Sequence, residues 1–175
     1  MNTEEQVILV DEQDNELGIM GKTQAHKEGK LHRAISVFIF NNKGELLLQQ
    51  RAKDKYHSPG LWTNTCCTHP RQGEPVKQAA LRRLKEEMGL EANIRKCFTF
   101  VYNAVLDHGM TEHEFDHVFV GTSNAVPVPD DKEVQAWRYV SADVLDKEMA
   151  KTPHQFTEWF RICYNEYFFE LFKGR

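Results

Sequence analysis

Seven of the eight histidines in this chain fall between residues 26 and 117, and acidic residues lie among them. His26 and His32 flank a short glycine-containing turn, KEGKL, and His69 follows Cys67 by two residues in LWTNTCCTHP. Glu112 and Glu114 stand in TEHEFDHVFV, where the alternation of an extended strand puts both carboxylates on one face. Three imidazoles and two carboxylates make a mixed nitrogen and oxygen set. It suits Mn, Mg or Zn better than a thiolate-type structural site would. Any one of these histidines taken alone is more often a hydrogen-bonded surface or core residue. Sequence alone does not show that they converge.

A second group lies in GEPVKQAALRRLKEEMGL (73–90). Pro75 sits where a first-turn proline is tolerated, and Gly89 where a C-terminal cap belongs, so the spacing predicts a helix over 75–88. Ala80, Leu81, Leu84 and Met88 form its apolar face, and Arg83, Glu86 and Glu87 lie on another. Several carboxylates on one helix face can hold a metal. The plainer reading is a solvated face laced by Arg82–Glu86 and Arg83–Glu87 pairs. A third group joins Cys66-Cys67 with Trp62 and the distant Tyr102 and Trp159. In an extended segment Cys67 and His69 share a face while Cys66 points the other way. The Cys67 thiol is expected to start near the free pKa of about 8.5 and to be tuned by nearby cations and metal. Taken singly, a cysteine is usually a small buried hydrophobe and a tryptophan on an apolar helix is usually core.

These groups need a scaffold that gathers them. Residues 6–10 (QVILV) and 16–20 (ELGIM) flank Asp14-Asn15 and predict an opening hairpin. Residues 34–40 (AISVFIF) are apolar at both parities, as a strand buried on both faces would be. Asn41 to Gly44 then turn the chain into ELLLQQR (45–51), and further strands are expected near 61–68, 94–105, 113–122 and 133–140. AVPVPDD (125–131) reads as a loop, and a second long helix is expected over 153–172. Strands interleaved with helices in this order predict an α/β or α+β sandwich. At 175 residues, the chain has the length of one domain spanning 1–175.

Composition narrows the class. The chain is 41% hydrophobic and 27% charged, which excludes disordered and collagen-like classes, and its apolar runs are too short to span a bilayer. A net charge of −4 gives no reason to expect a nucleic-acid or membrane-surface partner, so any bound anion must be held by a few local cations. Four cysteines, two of them adjacent, are too few for a disulfide framework. The acidic MNTEEQVILVDEQDNE lacks the layout of a secretion signal. The expected compartment is the cytoplasm, and the expected state a monomer or weak homodimer.

The segment 73–90 resembles the Nudix signature. Glu74, Arg82 and Glu86-Glu87-Met88-Gly89-Leu90 fall in register, while Thr68 replaces the opening glycine and Arg83 the glutamate after the arginine. Together with LHRAISVFIFNNKGELLLQQRA (31–52), PGLWTNTCCTHP (59–70), TEHEFDHVFVG (111–121) and TPHQFTEW (152–159), nearly the whole chain resembles the type I isopentenyl-diphosphate isomerases, a Nudix branch. The resemblance implies a Nudix-type sandwich of mixed β-sheets between helices. It implies Cys67 and Glu114 as acid/base groups, with Tyr102 and Trp159 near the isoprenyl chain. Lys22, Arg51, Lys55 and Arg83 would grip the diphosphate. His26, His32, His69, Glu112 and Glu114 would hold one divalent metal, Mn or Mg with Zn possible, and Glu87 would help hold a Mg bound with the diphosphate. Isomerisation would pass through a tertiary carbocation. The rival readings are a Nudix pyrophosphohydrolase, whose signature usually has a complete REUxEE segment where this chain has RRLKEE, and a non-catalytic metal-binding domain.

Overall fold

In the computed structural model, which describes residues 4–173, the chain runs β1 (Gln6–Val10), β2 (Glu16–Gly21), α1 (Lys22–Glu28), β3 (His32–Phe40), β4 (Leu46–Arg51), β5 (Trp62–Thr63) and β6 (Cys66–Thr68). It continues through α2 (Val76–Met88), β7 (Asn93–Val105), β8 (Thr111–Thr122), β9 (Val134–Val140), α3 (Ala142–Lys151) and α4 (Glu158–Lys173). The opening hairpin forms as expected. Asp11 caps its turn by accepting from the Gln13 and Asn15 amides, and Arg33 holds Asp14 through Nε at 2.7 Å.

β3 is the spine, buried at every position except Arg33. It pairs antiparallel with β1, β4 and β6 and parallel with β8, which is why its apolar run ignores alternation. Phe38 and Phe40, with Leu46 and Leu48, face Trp159, Phe160 and Cys163 of α4. Ile35, Val37 and Ile39, with Leu47 and Cys66, face Ala79, Ala80, Leu84 and Met88 of α2. A mixed sheet thus lies between helical layers, each face built from one parity of the same strands.

The helix expectation over 75–88 corresponds to α2, with Pro75 just before its first residue. Gly89 ends it in the left-handed region at φ 62°, and the loop after 125 covers the end: the Val128 amide donates to Met88 O and that of Asp130 to Glu87 O. A Cβ at Gly89 would stand 2.5 Å from Val128 O. Gly89→Ala therefore combines backbone strain with a clash against main chain, and should cost about 2 kcal/mol or more in chemical denaturation. A wild-type midpoint would remove Gly89 from the helix stop.

Three expectations need correction. The strand near 61–68 is two short strands, because side chains of Asn64 and Thr65 take over the backbone pairing between them. Asn64 Nδ2 donates to Val37 O and Cys66 O, while Thr65 Oγ1 accepts from the Ile39 amide and donates to Leu47 O. The long helix over 153–172 is a 3₁₀ turn at Pro153–Gln155 followed by α4, since the Thr157 amide donates to Trp62 O and ties this segment to β5. The plainer reading of a solvated face on α2 holds only in part, since Glu87 is 6% exposed. Helices α1 and α3 had no sequence expectation at all. No described helix is long and apolar enough to cross a membrane.

Candidate active site

The imidazoles come from three elements: His26 from α1, His32 from the start of β3, and His69 just after β6. The parallel pairing sets His32 directly opposite Glu114 on β8, and the antiparallel pairing sets Tyr102 of β7 opposite the same residue. One ligand atom from each of His26, His32, His69 and Glu114 lies within 4.8 Å of all the others.

The tautomers are fixed by the backbone. His26 Nδ1 lies 2.7 Å from Lys22 O and His32 Nδ1 2.8 Å from Lys30 O, and a carbonyl only accepts, so each Nδ1 carries the hydrogen. Each Nε2 then presents a lone pair, buried and without a hydrogen-bond partner among the described residues, and that of His32 faces Glu114 Oε1 at 3.5 Å. Acceptors turned toward one another in a buried place are what a cation satisfies, so these residues fit a divalent metal. Burial pulls His26 down and His69 to about 4, leaving neutral imidazoles suited to ligation. Glu114 lies below the ordinary carboxylate range: burial opposes its charge, and His69, whose Nε2 stands 3.1 Å from Oε1, offsets that by hydrogen bonding.

Glu112 stands beside this group rather than in it. The Tyr102 hydroxyl is 2.6 Å from Glu114 Oε2 and 3.1 Å from Glu112 Oε2, one hydrogen shared between two carboxylates. Burial and then the Glu114 charge push Glu112 well above its usual range. A divalent cation held by the group would offset that repulsion.

A cavity of about 400 Å³ opens over the cluster. Cys67, His69, Tyr102, Glu112, Glu114 and Trp159 line it together with Lys22, Arg51, Lys55, Arg83 and Glu87. Each cation already has a partner. Lys22 meets Glu5 at 2.9 Å, Lys55 meets Glu133 at 2.5 Å, and Arg83 meets Glu87 at 2.7 Å and Glu133 at 2.9 Å. Arg51 donates to His57 O at 3.1 Å and lies over the Trp159 ring at 5.2 Å. The expected Arg82–Glu86 and Arg83–Glu87 pairs are both present, yet Glu87 is also held by Gln49 at 2.8 Å. Burial raises Glu87 despite Arg83 and Gln49. So the polar face of α2 is half surface and half pocket wall.

Parity separates the two thiols as expected. Cys66 is wholly buried under α2, and Cys67 faces the cavity. Its Sγ donates to Asn64 Oδ1 at 3.2 Å and lies 3.6 Å from Ser36 Oγ, which donates to Asp116 Oδ2 at 2.6 Å. Burial, then the neighbouring Asp116 charge, pushes the Cys67 thiol up instead of leaving it near the free value. Trp62 turns away from the cavity and stacks under Arg138 at 4.6 Å. Glu5, Tyr56, His57 and Glu133 line the cavity without having been anticipated. Only the spacing KYH before PGLW hinted at the middle two, and nothing local marked Glu5 or Glu133.

The NUDIX domain model matches residues 30–160. A Pectobacterium atrosepticum protein named isopentenyl-diphosphate Delta-isomerase is 51% identical over 91% of this chain and 89% of its own length. An Aromatoleum aromaticum protein named isopentenyl-diphosphate Delta-isomerase 1 is also 51% identical, over 91% and 90%. Among solved structures, a Deinococcus radiodurans protein superposes with a TM-score of 0.70 at 21% identity, covering 85% of this chain and 90% of that one. A MutT NUDIX hydrolase from Burkholderia pseudomallei gives 0.61 at 18%, covering 78% and 98%. These two likenesses speak to the fold.

Proposed function

The chain belongs to the isopentenyl-diphosphate Delta-isomerases of the NUDIX family, and we propose that it moves the double bond of isopentenyl diphosphate to give dimethylallyl diphosphate, with Cys67 and Glu114 as its two proton-carrying groups. It is an enzyme with a small diphosphate substrate. The observation that carries the mechanism is one cavity lined by a thiol, a phenol–carboxylate pair and an indole together with lysine and arginine side chains.

An alkene is a poor base, so its protonation requires a positioned acid and yields a tertiary cation. One proton is gained and another lost from a neighbouring carbon, so one group delivers and the other collects. Cys67 and Glu114 supply this pair, with Tyr102 orienting the carboxylate. The electron-rich face of Trp159 stabilises the cation by about 2 kcal/mol once water is excluded. Water reaching the cation would trap it as an alcohol, so the nearly complete burial of Tyr102, Glu114 and Trp159 protects the intermediate. Lys22, Arg51, Lys55 and Arg83 exchange their present partners for the diphosphate, and Glu87 would help hold the Mg that accompanies it. His26, His32, His69, Glu112 and Glu114 would hold one divalent ion, Mn or Mg with Zn possible, supplying fixed positive charge beside the acid/base carboxylate.

The deciding experiment is incubation with isopentenyl diphosphate and Mg in heavy water, followed by NMR. The expected result is dimethylallyl diphosphate with deuterium incorporated at carbon. Release of phosphate or pyrophosphate from nucleotides, without isomerisation, would favour the hydrolase, and silence in both assays the metal-binding domain. The metal assignment has its own check. His69→Asn should lower bound metal and turnover together, with affinity down by at least the roughly 10–100-fold that outer-shell changes cost. Full metal occupancy in that variant would count against the assignment.

A further inference from the structure

Three side chains between β5 and α4 form a buried line that the mechanism above leaves unused. Asn64 is fully buried, and its amide gives both hydrogens to main-chain carbonyls, to Val37 O at 3.2 Å and Cys66 O at 2.9 Å. Flipping the amide would turn its oxygen onto those carbonyls, so its orientation is fixed. Its Oδ1 is thereby left as an acceptor only, and it accepts from Cys67 Sγ at 3.2 Å and from Thr63 Oγ1 at 2.9 Å. Thr63 Oγ1 in turn accepts from Thr157 Oγ1 at 2.9 Å. Thr157, wholly buried, lies two residues before Trp159, and its amide donates to Trp62 O.

The hydrogens therefore run one way. Thr157 donates to Thr63, Thr63 to Asn64, and Asn64 also receives the thiol hydrogen of Cys67. The far end of the line belongs to the segment that carries the indole. Packing does not require hydroxyls at these positions, since valine has the shape of threonine, and valine at both would leave no hydroxyl to satisfy while Asn64 Oδ1 still accepts from Cys67.

We propose that Thr157, Thr63 and Asn64 are positioning residues: a buried relay that fixes the direction of the Cys67 thiol relative to Trp159, so that the proton-carrying sulfur and the cation-facing indole are held on one frame. The proposal rests on the isomerase reading for its catalytic consequence. Its geometric content stands apart from that reading.

The test uses Thr63→Val, which keeps shape and removes the middle link, and Thr63→Ser, which keeps the hydroxyl. With isopentenyl diphosphate as substrate, Thr63→Val should lower kcat by about 10- to 100-fold, the scale of a misplacement near 1 Å, while KM and bound metal stay at wild-type values. Thr63→Ser should restore most of the rate. Adding Thr157→Val to Thr63→Val should cost nothing further, because the link it removes is already broken. A wild-type kcat for Thr63→Val, a loss shared with KM and metal content, or independent losses in the double variant would overturn the relay. Should Thr63→Val fold poorly, Thr157→Val against Thr157→Ser asks the same question from the other end. A second readout does not depend on turnover. Alkylation of Cys67 by iodoacetamide, followed by mass spectrometry, should accelerate several-fold in Thr63→Val, where the Cys67–Asn64 pair loses its tie to the segment that carries Trp159, and return to the wild-type rate in Thr63→Ser. If the wild-type protein fails to isomerise the substrate, the isomerase reading fails, and the alkylation rates still decide the relay: equal rates in all three proteins refute it.

Discussion

Cys67→Ala should lower isomerisation by about 10⁴-fold, the top of the range for a positioned acid or base, because alanine has no proton to give or take. Deuterium exchange into the substrate should vanish with it. The protein should remain folded and metal-replete, since Cys67 faces the cavity and its removal leaves Asn64 still held by its donors to Val37 O and Cys66 O. Cys66→Ala is the informative contrast. That sulfur is wholly buried between β3 and α2, so its loss should cost about 1–2 kcal/mol of stability and leave most of the activity. An epoxide analogue of the substrate should modify Cys67 alone. Unfolding curves, turnover and peptide mapping of the two variants separate the roles, and the opposite pattern would mean that the strand parity has been misassigned.

Arg83→Glu should lower kcat/KM by about a thousandfold, the equivalent of roughly 4 kcal/mol. It restores the carboxylate that the Nudix signature has at this position, yet it does so in a site arranged around a cation. Arg83 meets Glu87 at 2.7 Å and Glu133 at 2.9 Å, and Glu133 also holds Lys55. Reversal turns two attractions into repulsions and removes a partner of the diphosphate. Arg83→Gln removes the partner without the repulsion and should fall between the two. Calorimetric titration with inorganic pyrophosphate and Mg should show weakened binding in the same order. If Arg83→Glu binds pyrophosphate and turns over like wild type, Arg83 has no part in the grip.

Much of this was legible before any coordinates. A short, β-branched and aromatic run apolar at both parities reads as a central strand, and β3 is one. The Glu112/Glu114 spacing needed only strand geometry to share a face, and the adjacent cysteines needed only alternation to part company. The illegible parts have physical reasons. Helix α1, which brings Lys22 and His26 to the site, is a short element without a side-chain cap, so neither periodicity nor capping chemistry announced it. Asn64 and Thr65 break a run that reads as one strand, because their side chains stand in for backbone partners that only the folded sheet supplies. Glu87 occupies a polar position of an amphipathic helix, and what buries it comes from elsewhere in the chain. The partners of the cations, Glu5 and Glu133, are separated from them in sequence by 17 residues for Lys22 and 78 for Lys55. Charge pairing over such spans leaves no local pattern.

The pairing of β3 with β8 has a consequence for how the molecule comes into being. His32 and Glu114 are in register across it, and the chain between them must have found its other partners for that register to hold. Contacts between residues so far apart in sequence lose the most chain entropy on closure and form slowly. The imidazole–carboxylate cluster is complete only after this closure, so on the folding route the power to capture a cation arrives late. A nascent chain that has emerged only as far as β7 carries all three imidazoles and the thiol. It still lacks the strand that turns them into a site.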